Sequence, residues 1–331
     1  MTPRTTRRLL TAAGLAALFL LPLVVTDRYF LHILVMTGIF AILTSSWNLL
    51  TGYAGQLNLG HAAFYGIGAY TSAILATRLG ISPWAGLLAG GFMAAAAGFL
   101  LGIPSLRLSG PYLAITTIGF AEILRLVAMN WVDLTRGSLG LYGIPPLTPI
   151  PITSSVSIEF ISERNFLYVL LVVLLITVFA IRRMIRSGFG VTLKALRDDE
   201  AGAESIGVDT ARFKLTVFTI SAFFAGVAGA LFAHYQRLIS PDTLSLGETF
   251  AILTMTMLGG LGTLTGPILG AVILSFFSEW LRFVEDMVKL DVRMVIYGLL
   301  LIVTIRFMRE GVVGLLVKLP WWPKTPRKRG D

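Results

Sequence analysis

Ten apolar runs, several near the ~20 residues that cross a hydrocarbon core, follow one another along the 331 residues of this chain. They lie at about Leu9–Val25, Tyr29–Leu50, Leu57–Leu79, Pro83–Ile103, Tyr112–Val132, Phe166–Ile181, Leu215–Tyr235, Glu248–Gly259, Gly266–Phe283 and Val292–Ile305. Backbone polar groups find no water in lipid, so runs of this kind are helices. Only 14% of the residues are charged, against about 25% in soluble domains, and mean hydropathy is +0.80. The expected class is an all-α polytopic membrane protein, one transmembrane domain over 1–331. Arg4, Arg7 and Arg8 before Leu9 resemble a signal peptide. No small-residue cleavage site follows, so a retained first span over 9–25 is expected.

Charge sets the expected orientation. Alternate threading puts the N-terminus, the Arg107 loop, the 182–214 loop and the tail on one side. These hold three, one, seven and seven basic residues, 18 of the 27 Lys and Arg in all. The positive-inside rule makes that side cytoplasmic, N-in and C-in. A formal charge of +9 would suggest nucleic acid in a soluble protein; here membrane orientation accounts for it and no nucleic-acid partner is expected. The same threading starts spans two to five (about 29–132) outside and spans seven to ten (about 215–306) inside. That is the pattern of inverted-topology repeats, joined by the 182–214 loop and followed by a basic tail over 307–331.

Two apolar segments are interrupted where a helix should continue. Residues 52–70 carry five glycines and the polar trio Gln56, Asn58 and His61, and residues 258–271 read Leu-Gly-Gly-Leu-Gly-Thr-Leu-Thr-Gly-Pro-Ile-Leu-Gly-Ala. Each glycine costs a helix about 1 kcal/mol relative to alanine, and the freed backbone must be paired in protein or at a wet cavity. One such segment in each half points to a transport path. Gln56, Asn58, Gly60 and His61, with Gly259, Gly260, Gly262, Thr263 and Gly266, are therefore the candidate lining. For Gln56, Asn58 and His61, structural hydrogen bonds across helices are the alternative. Half-helix N-termini near Gly60 or Gly266 suit a carboxylate through the helix dipole.

The 182–214 loop carries helix signals of its own. Arg182, Arg183 and Arg186 suit lipid headgroups. Asp198 is the expected N-cap of a short helix, with Asp199 and Glu200 in its first turn; Gly207 suits its C′ position, and Asp209 or Thr210 starts the next helix. A short capped helix displayed between two spans reads as a docking knob for a soluble partner, with a re-entry turn as the alternative. The turn-rich stretch 133–165 is the largest outer loop, either a receiving surface or a solvated connector. Glu122 and Arg125 share a helix face at i, i+3 and read as an intramembrane ion pair. Gly98/Gly102, Gly262/Gly266 and Gly266/Gly270 read as small-residue packing pairs.

Catalytic signals are missing. There is no cysteine, and His32, His61 and His234 lack ligand spacing, so no metal site is expected. No Gly-x-x-x-x-Gly-Lys-Ser/Thr loop occurs, and Gly260-Leu-Gly262 follows no strand. No cofactor and no enzymatic activity are expected; any ATP must be bound and hydrolysed by other chains.

Five stretches carry a family resemblance. They are Gly52-Tyr-Ala-Gly-Gln-Leu-Asn-Leu-Gly-His-Ala-Ala-Phe-Tyr-Gly-Ile-Gly-Ala-Tyr-Thr71, Tyr112-Leu-Ala-Ile-Thr-Thr-Ile-Gly-Phe-Ala-Glu-Ile-Leu-Arg125, Arg197-Asp-Asp-Glu-Ala-Gly-Ala-Glu-Ser-Ile-Gly-Val208, Ala225-Gly-Val-Ala-Gly-Ala-Leu231 and Gly259-Gly-Leu-Gly-Thr-Leu-Thr-Gly-Pro-Ile-Leu-Gly-Ala271. In this order they resemble the LivM-type permeases of branched-chain amino acid ABC importers, from about Tyr29 onward. Asn58 stands where that family more often has serine. The resemblance implies a LivH-like second permease, two ATP-binding cassette subunits, an extracytoplasmic substrate-binding protein and a bacterial plasma (inner) membrane location. It also implies ATPase coupling through Arg197, Asp198, Asp199, Glu200, Ala203, Glu204 and Gly207. A urea or short-amide permease shares this architecture. A self-contained secondary transporter or channel is the competing class, and the docking loop argues against it.

Overall fold

The computed structural model describes residues 19–105, 108, 110–153, 156–288, 293–308 and 311–318. Most of the first expected span, Arg107 and most of the basic tail lie outside the described residues; of that span, residues 19–24 are seen as helix.

The bundle is organised around α1 (Arg28–Asn48), which continues into a π turn over Leu49–Tyr53. A helix apolar on every side has no face for solvent and is driven inside. Accordingly 83% of the apolar window of α1 and its π turn is buried, against 28% for α4 (Pro111–Asn130). Packed on α1 are α5 (Glu163–Ile185), α8 (Thr210–Gln236), α9 (Leu246–Gly259) and α10 (Gly266–Val288). Beyond them α2 (His61–Arg78) and α3 (Pro83–Ser105) lie against α8. The loop helices are α6 (Gly188–Asp198) and α7 (Glu200–Ser205), and α11 (Arg293–Phe307) and α12 (Gly311–Lys318) close the chain.

Small residues set the helix spacing. A Cβ on Gly98 would sit 2.5 Å from Ala222 Cβ, and one on Gly102 2.6 Å from Leu215 Cδ1, so the Gly98/Gly102 pair seats α3 on α8. Gly270 does the same for α10 on α9. The Gly262/Gly266 pairing does not hold: Gly262 lies in a turn at φ +72°, where it serves backbone geometry rather than helix contact. Large apolar side chains such as Phe92, Leu100, Ile115 and Phe179 remain exposed on α3, α4 and α5, a surface suited to hydrocarbon.

Several expected boundaries move for local reasons. The run Leu57–Leu79 is helical only from His61, because the Gly60 amide donates to Asn58 Oδ1 at 2.8 Å and holds the chain in a turn. Phe166–Ile181 lengthens to Glu163–Ile185 because Ser162 accepts from the Asn165 amide and caps it. Leu246–Gly259 is 14 residues long, a half-length helix as its run suggests. Among the described residues, five helices are long and apolar enough to cross a membrane. The two breaks do not match between the expected repeats: one follows the first helix of its set, the other the second. In 133–165, Leu141–Tyr142 pairs antiparallel with Leu238–Ile239, tying this loop to the segment after α8.

Candidate functional site

Both broken segments are real interruptions, and they meet. After the π turn the chain runs without helix through 54–60, with Gly55 at φ +70°. Its polar groups are largely paired inside the protein. The Trp47 indole donates to the Asn58 carbonyl at 2.7 Å, the Leu59 amide donates to Thr117 Oγ1 at 3.0 Å, and the Thr51 hydroxyl donates to the Gln56 carbonyl at 2.9 Å. This meets the requirement that irregular backbone among apolar helices be satisfied by protein.

The second break covers 260–265, between α9 and α10. Gly260 takes φ +129°, the Thr263 hydroxyl donates to the Gly260 carbonyl at 2.7 Å, and the Gly266 amide donates back to Thr263 Oγ1 at 3.0 Å. Gly259 touches Gly266 backbone to backbone.

Asn48, the last residue of α1, joins the two breaks. Its Oδ1 accepts from the Gly262 amide at 2.8 Å and its Nδ2 donates to the Thr263 carbonyl at 2.8 Å. A side-chain amide thus pairs with a turn as a strand would. The fit admits only glycine at 52, where a Cβ would lie 2.1 Å from Asn48 Oδ1 and 2.7 Å from the Gly262 amide nitrogen.

Arg197 reaches the same point from the 182–214 loop. Its Nη1 donates to the Gly52 carbonyl at 3.1 Å, and its stem runs over Gly55, where a Cβ would come within 2.8 Å of Arg197 Cγ. The guanidinium also holds Asp198 Oδ1 at 3.0 Å. Here the expected capping is corrected by one residue: Asp198 ends α6, and Asp199 is the N-cap of α7, accepting from the Gly202 amide at 3.0 Å. The reason is backbone geometry. Asp199 is extended while Asp198 is helical, and a cap residue must leave the helical region. Gly207, at φ +86°, lies just past the end of α7, and Asp209 caps α8. Glu200 pairs with the buried Lys214 and Ala203 is buried, whereas Glu204 and Ile206 are exposed.

Of the polar trio, Asn58 and His61 meet within the bundle. Asn58 and His61 are fully buried; His61 Nε2 lies 2.9 Å from Ser46 Oγ, and its Nδ1 3.4 Å from Asn58 Nδ2. Gln56 is buried, and its Oε1 has no hydrogen-bond partner among the described residues. Gly60 sits against the Thr117 carbonyl. The amides of Gly60, Ala62 and Gly266 bond within the chain. Glu122 and Arg125 form a two-pronged pair at 2.6 and 2.9 Å on α4. The histidines are apart, and among the described residues no cluster of three metal-ligating side chains occurs. Sequence reasoning passed over Ser46, Trp47 and Asn48. Their signal is a Ser-Ser-Trp-Asn run closing an apolar span four residues before a glycine.

Long apolar helices packed around two interior breaks define a multi-pass helical membrane protein. The family model for the permease component of branched-chain amino acid transport systems matches residues 29–305, and the chain belongs to that family. It is 40% identical over 273 residues to the high-affinity branched-chain amino acid transport system permease protein LivM of Salmonella typhimurium, covering 77% of this chain and 64% of the relative. For LivM of Escherichia coli K12 the identity is 39% over the same shares. LivH of Escherichia coli K12, a permease protein of the same transport system, is 27% identical over 83% of this chain and 91% of its own length. The chain thus spans just under two thirds of the LivM relatives. No solved structure matches it.

Proposed function

We propose that this chain is a permease subunit of an ABC importer for branched-chain or other small apolar amino acids in a bacterial plasma membrane. It forms half of the translocation pathway with a LivH-like second permease. Two ATPase subunits dock at 182–214, and an extracytoplasmic binding protein delivers the substrate. Family membership supports the substrate class. The observation that carries the mechanism is Arg197, which extends from the loop to the Gly52 carbonyl beside Gly262. Alternate threading puts the first break, the loop and the second break on one face, and their contact in space is consistent with that shared side.

In this reading, ATP-driven closure of the ATPases moves α6 and α7 through the exposed surface around Glu204 and Ile206. Arg197 passes that movement to Gly52, and Asn48 carries it to Gly262 and Thr263, so both breaks shift together. Alternating access of this kind needs a coupling of only about 1–3 kcal/mol between sites. Expression with its neighbouring subunits tests the proposal: the ATPases are expected to co-purify, and vesicles to accumulate leucine only with ATP. Leucine transport by this chain alone would refute it.

Gln56 and Asn58 lie where the first break enters α2. Replacing both by leucine is expected to lower leucine uptake by about tenfold, since loss of a buried hydrogen bond costs about 1–3 kcal/mol, while the ATPases still co-purify. Unchanged uptake would remove both residues from the pathway.

A further inference from the structure

At the end of α1 remote from Arg197, a cavity of about 500 Å3 opens among α1, α9, α10, α11 and the segment after α8. This is within the size range of small-molecule sites. Its lining is graded. Around the N-terminal ends of α1 and α9 and the C-terminal part of α10 stand His32, Asp242, Glu248, Glu279 and Arg282; deeper along α1 and α9 come Met36, Phe40, Ala251 and Met255. Among the described lining residues three carboxylates accompany one guanidinium, so the wall is acidic yet keeps one cation. Two of these polar groups are held in place. Tyr29 donates to Glu279 Oε2 at 2.8 Å, and His32 Nδ1 lies 2.7 Å from the Tyr235 hydroxyl. Separately, Ser275 lines the cavity at 7% exposure, and its hydroxyl has no hydrogen-bond partner among the described residues. Buried hydroxyls are normally satisfied, so this one points to a ligand or water inside.

We propose that this cavity is a docking site for a zwitterionic aliphatic amino acid. The ammonium lies against the acidic wall, the carboxylate near Arg282, and the side chain among Met36, Phe40, Ala251 and Met255. The pattern fits this chemistry best: anions alone would be repelled by the excess of carboxylates, simple cations would leave Arg282 and the apolar depth unused. The inference deepens the permease reading and rests on it for the route by which substrate arrives. By alternate threading the cavity opens on the outer face, the side from which a binding protein would release its cargo.

The test uses the assembled transporter in nanodiscs without the binding protein. Tritiated leucine is expected to bind saturably. Isopentylamine and 4-methylpentanoate, each lacking one charge, should compete at least about tenfold more weakly. Glu248→Gln and Ser275→Phe should each weaken leucine binding about tenfold or more. If Ser275→Phe does not assemble, the nearly isosteric Glu248→Gln carries the comparison. Absence of saturable leucine binding, or binding indifferent to Glu248→Gln, overturns the cavity assignment. Uptake assayed in parallel with the binding protein separates the two readings: uptake without cavity binding removes this site only, and cavity binding without uptake removes the importer only.

Discussion

Arg197→Ala is expected to lower leucine uptake about 10- to 100-fold while leaving the ATPases bound and hydrolysing ATP. The magnitude follows from what is lost. A hydrogen bond with a charged partner contributes about 1.5–3 kcal/mol, and Arg197 directs one such bond to the Gly52 carbonyl from a loop far along the chain. Its stem also covers Gly55, so truncation opens a gap beside the first break. Lysine keeps the charge but not the planar fork that serves Gly52 and Asp198 together, so Arg197→Lys should recover only part of the loss. The discriminating readout is coupling. Stimulation of ATP turnover by loaded binding protein should fall along with uptake, whereas a purely destabilising change would lower the amount of complex. Uptake within twofold of wild type would mean that the loop does not act through this contact.

Gly270→Ala should produce the larger loss of assembly. A Cβ at Gly270 would lie 1.7 Å from the Met255 carbonyl oxygen and 2.9 Å from the Gly259 amide nitrogen. Both obstacles are backbone, which cannot rotate away as a side-chain tip can, so α9 and α10 must separate. Overpacking costs about 1–3 kcal/mol where neighbours yield, and this site belongs at or above the upper end, about 3 kcal/mol. Gly298→Ala is the matched control. Among the described residues no atom beyond its own helix backbone lies within 4 Å of the added methyl, and alanine favours a helix over glycine by about 1 kcal/mol. Thermal unfolding of the purified complex should show a lower midpoint for Gly270→Ala and none of that loss for Gly298→Ala. Equal midpoints would remove the close α9–α10 crossing.

Much of the architecture was legible before any coordinates. Bilayer-length apolar runs mark α1, α3, α4, α5 and α8 because hydrocarbon admits no other spanning backbone. Glycine clusters mark the interruptions at 54–60 and 260–265 because each glycine weakens a helix locally. The capped loop helix was legible for the same reason, with its start displaced by one residue because Asp198 and Asp199 are equally good caps and only the path of α6 selects between them. Composition also showed that Gln56, Asn58 and His61 need partners, without naming Ser46, Trp47 or Thr117.

Local chemistry is thus written in neighbouring residues, and spans, breaks and caps can be read there. Which break touches which is different in kind. Asn48 meets Gly262 across 214 positions and Arg197 meets Gly52 across 145, and neither side chain differs in sequence from one that simply faces its own turn. These pairings, and the acidic cavity assembled from α1, α9, α10 and α11, arise when helices apolar on all sides pack around α1 and bring distant polar groups to common points. Packing of the whole chain selects those partners, because a hydrogen bond needs two groups within about 3 Å and no short stretch contains both.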